Sequence, residues 1–226
     1  MEYSIFFINT YNTITTMRKQ NILILGIAAL SSFAVACGGN DTNKAADDQK
    51  TEATTSDSKK EEPVKTENLL TDVALLEKAE AELRAMPKFS GKDMQVFQNV
   101  NFYKDGRITI ALQDPGKPEN IDEYHFSDGK WGAPQAVQIS GSGKMDDNVW
   151  PLSKIKFSTV ATVYKNWNEK AQSLEGGANK ELTSIDLLFW VPSQEVRWST
   201  SNVETDREKY SIEYNLDGSV KEFKKS

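Results

Sequence analysis

The chain has 226 residues, enough for one ordinary domain or for two small ones that share a core. Its 27 basic and 33 acidic residues give a net charge of −6, which argues against a nucleic-acid partner, because a nucleic-acid surface needs a clustered excess of basic residues. The single cysteine excludes a disulfide framework within the chain, and the single histidine excludes a zinc site built from several histidines.

The first 36 residues have the pattern of a secretory signal peptide. A short basic start, Met17-Arg18-Lys19, precedes an apolar run over residues 22–36. This run is shorter than the roughly twenty residues that a transmembrane helix needs. The pattern therefore predicts a signal peptide whose true start is Met17, with residues 1–16 as upstream sequence.

The end of the apolar run carries a lipidation signal. The residues Ala34-Val35-Ala36-Cys37 resemble the lipobox of bacterial lipoproteins. The resemblance implies cleavage before Cys37, attachment of lipid to its sulfur, and acylation of its new amino group by a chain such as palmitate. Gly38 stands where an inner-membrane retention signal places Asp, so the resemblance favours the outer membrane of a Gram-negative bacterium. Whether the protein faces the periplasm or the cell surface stays open.

The segment after the cysteine is predicted to be a disordered tether over residues 37–68. It has no aromatic residue, and Val64 is its one branched aliphatic residue, while charges of both signs run throughout. Such a composition buries too little apolar surface to offset the entropy of ordering the chain.

Residues 69–140 are predicted to form a helix followed by four strands. Apolar residues, Val73 among them, recur at every third or fourth position from Leu69 to Met86, which predicts the buried stripe of an amphipathic helix that Pro87 ends. Thr71 and Asp72 are candidate caps if the helix begins a turn later. Alternating runs joined by Asp-Gly turns then predict antiparallel strands. In the third strand, His125 points to the face opposite Tyr124 and Phe126.

The same order recurs in residues 141–226. An apolar stripe over residues 157–174 predicts a second helix, and alternating runs predict strands over residues 185–191, 196–198, 210–214 and from 220. We therefore predict an α+β fold made of two tandem units, each a helix plus a four-stranded antiparallel sheet. Whether the two sheets are joined or separate stays open.

This order of elements resembles the PepSY-like and β-lactamase-inhibitor-like domains. The resemblance covers residues 69–226 and rests on topology alone, so it carries over no functional residue. It implies an exported, often lipid-anchored protein that binds or inhibits other proteins.

The aromatic residues suggest where a binding surface lies. Trp190 alternates with Leu187 and Phe189, so it points away from their face. Together with Tyr103 or Phe97 it would form an aromatic platform for a sugar ring or a partner protein, and Trp150 beside a turn is a further candidate. The alternative is that this face of the sheet packs against the other repeat.

Three functional hypotheses follow. The first is an envelope lipoprotein that is not an enzyme, takes no metal or cofactor, and binds or inhibits a protein or peptide. The second is a glycan-binding accessory lipoprotein that uses exposed Trp and Tyr residues. The third is a hydrolase that works with Asp and Glu alone, which requires two carboxylates converging in one cleft.

Overall fold

The computed structural model describes residues 68–141, 143–176 and 180–226, which all belong to one compact unit. The predicted signal peptide, Cys37 and all but the last residue of the predicted tether lie outside the described residues. The helices are α1 (Val73–Arg84) and α2 (Thr159–Gln172). The strands are β1 (Gln95–Tyr103), β2 (Ile108–Asp114), β3 (Lys117–Ser127), β4 (Lys130–Trp131), β5 (Gln135–Ala136), β6 (Val149–Pro151), β7 (Ser184–Trp190), β8 (Glu195–Thr200), β9 (Val203–Glu204), β10 (Lys209–Tyr214) and β11 (Val220–Lys225). Neither described helix has the length and apolar character needed to cross a membrane.

The predicted α+β class is confirmed, but its division into two four-stranded sheets is not found. A large antiparallel sheet has the strand order β4-β3-β2-β1-β7-β8, with β5 paired to β3 and β6 paired to β1. Strands β11, β10 and β9 form a second, smaller sheet. The predicted boundary between residues 140 and 141 is therefore crossed by hydrogen-bonded strands, because β1 pairs with β7.

The pairing of β1 with β7 joins one apolar surface across the two halves. Val100 lies opposite Leu187, and Phe102 lies opposite Ile185, and all four side chains are buried. Left alone, each of these strands would present an unpaired edge to solvent. Joining them satisfies the backbone groups of both edges and extends the core in one step.

The large sheet ends at β8, and the next strand of the chain, β9, belongs to the small sheet. Strand β9, and not β8, pairs with β10, through Val203 opposite Tyr210. Side chains bridge β8 and β10 instead of a backbone ladder. The indole Nε1 of Trp198 donates to the carbonyl oxygen of Leu216 at 3.0 Å, and the hydroxyls of Thr200 and Tyr214 lie 3.3 Å apart.

Helix α1 begins as predicted at an Asp cap, with a shift in its buried stripe. The side chain of Asp72 accepts a hydrogen bond from the backbone N–H of Leu75 at 2.9 Å. Leu69 and Leu70 belong to a separate 3₁₀ turn, so the helical register starts only at Val73. That register buries Leu75 and leaves Val73 43% exposed, which corrects the prediction that Val73 belongs to the core stripe.

Both helices cover the same face of the large sheet. Their buried side chains join those of the sheet in one core cluster, and the members from the second helix are Val160, Val163, Trp167 and Ala171. Trp167 and Trp198 both belong to this cluster. We call the opposite side of the large sheet the outer face, and neither α1 nor α2 packs on it.

Candidate functional site

A row of polar side chains crosses the outer face. Directly opposed residues of an antiparallel pair point to the same side, so the strand register places a series of them side by side. The partly exposed members of this polar row, taken across five neighbouring strands, are His125, Thr109, Asn101, Asp186 and Ser199. The predicted orientation of His125 is therefore confirmed.

Two exposed apolar side chains continue from this row along β7. Leu188 and Trp190 share a face with Asp186, because alternate residues of a strand point to the same side. Leu188 is 38% exposed and Trp190 is 58% exposed. Large apolar side chains that adjoin each other on a surface are typical of sites where another molecule binds. The predicted outward orientation of Trp190 is confirmed.

Tyr103 lies on the outer face beside a cavity of about 510 Å³. The guanidinium of Arg107 lies 4.4 Å from the centroid of the Tyr103 ring, and it also pairs with Asp105 at 2.9 Å. One side of the Tyr103 ring is therefore occupied by a cation of the same chain, and the ring does not present a bare platform.

Phe97 and Trp150 are removed from the candidate surface because both are fully buried. Phe97 points to the outer face, but Val137, Ile139, Met145 and Val149 cover it together with Ala111 and Ile121. Trp150 belongs to the main core, and its indole Nε1 donates to the carbonyl oxygen of Gln98 at 2.9 Å. Strand alternation placed Phe97 on the correct face but carried no information about the segment that covers it.

Asp186, which sequence reasoning missed, is a partly buried carboxylate on the outer face. Among the described residues its carboxylate has no hydrogen-bond or ion-pair partner, and the neighbouring amide of Asn101 donates to Thr109 Oγ1 at 3.1 Å instead. Partial burial raises the pKa of Asp186, because removal from water penalises the charged form. The only signal in the sequence was an acidic residue between the buried Ile185 and Leu187.

Two carboxylates converge elsewhere, at Lys88. The ammonium of Lys88 lies 3.0 Å from Asp114 and 2.5 Å from Asp122. The backbone N–H of Gly116 and the Lys88 ammonium hold the pKa of Asp114 below its ordinary value. This arrangement ties the turn at Pro87–Phe89 to the sheet, and it differs from a proton-sharing acid pair, in which one carboxyl pKa is raised. The described residues contain no group of three His, Cys, Asp or Glu side chains that fits a metal ion.

A second cavity, of about 630 Å³, lies where β8 and β10 separate. Its charged walls are largely neutralised within the chain, because Arg197 pairs with Glu195, and Lys221 lies 3.8 Å from Glu213. Trp198 and Tyr214, which make the bridging contacts already described, line the cavity. We regard this cavity as the space between β8 and β10, which belong to different sheets.

No protein-family model matches the chain, and comparisons with curated proteins and with solved structures find no significant match. The candidate site is therefore defined by its own geometry, as an open sheet face on an α+β domain.

Proposed function

We propose that this chain is an outer-membrane lipoprotein of a Gram-negative bacterium, anchored through lipidated Cys37, and that its folded part binds a protein or peptide without catalysing a reaction. One observation carries the proposal. The outer face exposes Leu188 and Trp190 beside a polar row, while α1 and α2 pack on the opposite side of the sheet.

The composition of this face suits a protein partner. The centres of protein interfaces are enriched in aromatic side chains and depleted of charge, and their rims are polar. Trp190 and Leu188 supply the apolar centre, while Asn101, Ser199 and the Arg197–Glu195 pair supply the polar surroundings. The sheet behind them is buried on its other side, so it holds these side chains on a rigid support.

Site-specific photo-crosslinking in cells tests this proposal. A photoreactive amino acid is placed at Leu188 or Arg197 on the outer face and, as a matched control, at Lys165 on helix α2, whose side chain is 74% exposed. We expect a discrete cross-linked protein from the two face positions, its loss when Trp190→Ala is added, and no such product from Lys165. Equal cross-linking from all three positions, or none from the face, would contradict the proposal.

A glycan ligand is the second candidate, and one observation favours it. Trp190 is an exposed indole with polar Ser184 and Asp186 on the same side of the strand, and sugars commonly stack on such rings. Titration of tryptophan emission with a panel of cell-wall and dietary polysaccharides tests it. A saturable shift that Trp190→Ala abolishes supports a glycan ligand, and a flat response across the panel removes it.

We also infer that the two halves are copies of one α-β unit of the PepSY-like or β-lactamase-inhibitor-like type. In this interpretation β1, β2, β3 and β4 correspond to β7, β8, β10 and β11, and the first strands of the copies pair with each other. An experimental structure in which the two halves superpose along this correspondence supports the inference. A different best superposition would remove it.

A further inference from the structure

Among the described residues, Asp186 has no cation of its own chain to pair with. On the strands that flank Asp186, the only cation of this face is Arg197, and Arg197 pairs with Glu195. Farther along the face, Arg107 pairs with Asp105. In each case the cation already has its own carboxylate, so Asp186 is left without one.

Asp186 lies within the large sheet and not at its edge. It lies on β7, which is paired on both sides, to β1 and to β8. Its opposed neighbours, Asn101 and Ser199, are uncharged, and burial is what raises its pKa. A carboxylate that has already lost part of its hydration gives up less on pairing with a cation than a fully solvated one does.

The residues that follow on the same side of β7 fit the stem of a long basic side chain. Alternate residues of a strand lie roughly 7 Å apart, so Leu188 is one such step from Asp186 and Trp190 is two steps away, at roughly 13 Å. Lysine and arginine cover apolar surface with their methylene stems while the charged head meets a polar group. Leu188 is placed to receive the stem, and Trp190 is placed to receive a neighbouring apolar side chain of the partner.

We propose that Asp186 receives a lysine or arginine side chain of the protein that docks on the outer face, with Leu188 against its stem and Trp190 against an adjacent apolar residue. This inference rests on the proposed function, since it specifies what that partner must carry.

A peptide selection on the full-length lipoprotein in detergent tests this inference. A random-sequence displayed library is selected on the native protein and counter-selected on Trp190→Ala, so that only binders of the outer face remain. We expect the survivors to be enriched in lysine and arginine. We expect Asp186→Asn to weaken their binding by about tenfold or more, and replacement of the peptide's arginine by uncharged citrulline to do the same.

The matched control is Glu123→Gln. It also removes a carboxylate from the outer face, but this carboxylate lies beside His125 and not beside Leu188 and Trp190. We expect this change to leave the affinity of the selected peptides nearly unchanged. Survivors without basic residues, or with equal affinity for Asp186→Asn, would overturn the inference while leaving the proposed function standing. A selection that yields no Trp190-dependent binder would overturn both.

Discussion

Replacement of Trp190 by alanine is expected to weaken partner binding strongly while leaving the fold intact. A tryptophan side chain buries up to about 250 Å² in a protein interface. Since Trp190 is 58% exposed, a partner can cover roughly 100–150 Å² of it. At about 25 cal/mol per Å², this corresponds to roughly 3 kcal/mol before the cost of ordering the side chain. We therefore expect a loss of about 1–3 kcal/mol, or roughly tenfold to a hundredfold in Kd.

The stability of the fold provides the internal control for this prediction. Trp190 has no core role, so Trp190→Ala changes the free energy of unfolding by only about 0.5 kcal/mol. Trp198→Ala is the contrasting variant, because Trp198 is buried and its indole bridges to Leu216. We expect it to cost about 3–5 kcal/mol.

The assay is a binding isotherm with the partner identified by cross-linking, alongside urea unfolding of each variant. Our reasoning is refuted if Trp190→Ala binds like the native protein. It is equally refuted if Trp190→Ala unfolds as readily as Trp198→Ala, since Trp190 would then act in folding and not in binding.

Three further outcomes are expected. Because burial raises the pKa of Asp186, the folded state is most favoured below the ordinary carboxyl pKa and loses stability as pH rises through the raised value. Asp186→Asn should therefore increase Tm at about pH 7 and match the native protein at about pH 3. If the two proteins have equal Tm at both pH values, this reasoning is contradicted. Gly218→Ala should destabilise the fold more than Gly91→Ala. Both glycines have positive φ, which costs about 1 kcal/mol for alanine, but only at Gly218 would the new Cβ lie 3.1 Å from Thr159 and Thr162. Equal losses of stability in urea unfolding would show that this contact is harmless. Asp72→Ala should cost about 1 kcal/mol in chemical unfolding through loss of the helix cap, whereas Asp72→Asn, which retains an accepting oxygen, should cost little.

The local elements were predictable because their causes are local. The turns at Asp105-Gly106, Asp128-Gly129 and Asp217-Gly218 contain glycines at positive φ, a conformation that glycine adopts without strain. The helix cap at Asp72 and the alternation that points Trp190 outward depend on neighbours within a few residues. For the same reason, strand alternation identified the faces of His125 and Phe97 correctly.

The outer face itself depends on contacts between distant parts of the chain. Burial of Phe97 is decided by Val137, Ile139, Met145 and Val149, which lie forty or more positions later in the sequence. The isolation of Asp186 follows from the pairing of β7 with β1 and with β8, which surrounds it with uncharged neighbours. The periodicity of the sequence does not indicate which strands become neighbours in the sheet.

Sequence alone thus determined the α+β class, the order of the two α-helices and of the longer strands, and the outward direction of Trp190, since side-chain period and turn chemistry act over a few residues. Tertiary structure decided that the two halves share one sheet and that its outer face is only partly covered. Pairing β1 with β7 satisfies two strand edges and joins two apolar surfaces, and this gain exists only after residues more than eighty positions apart have met.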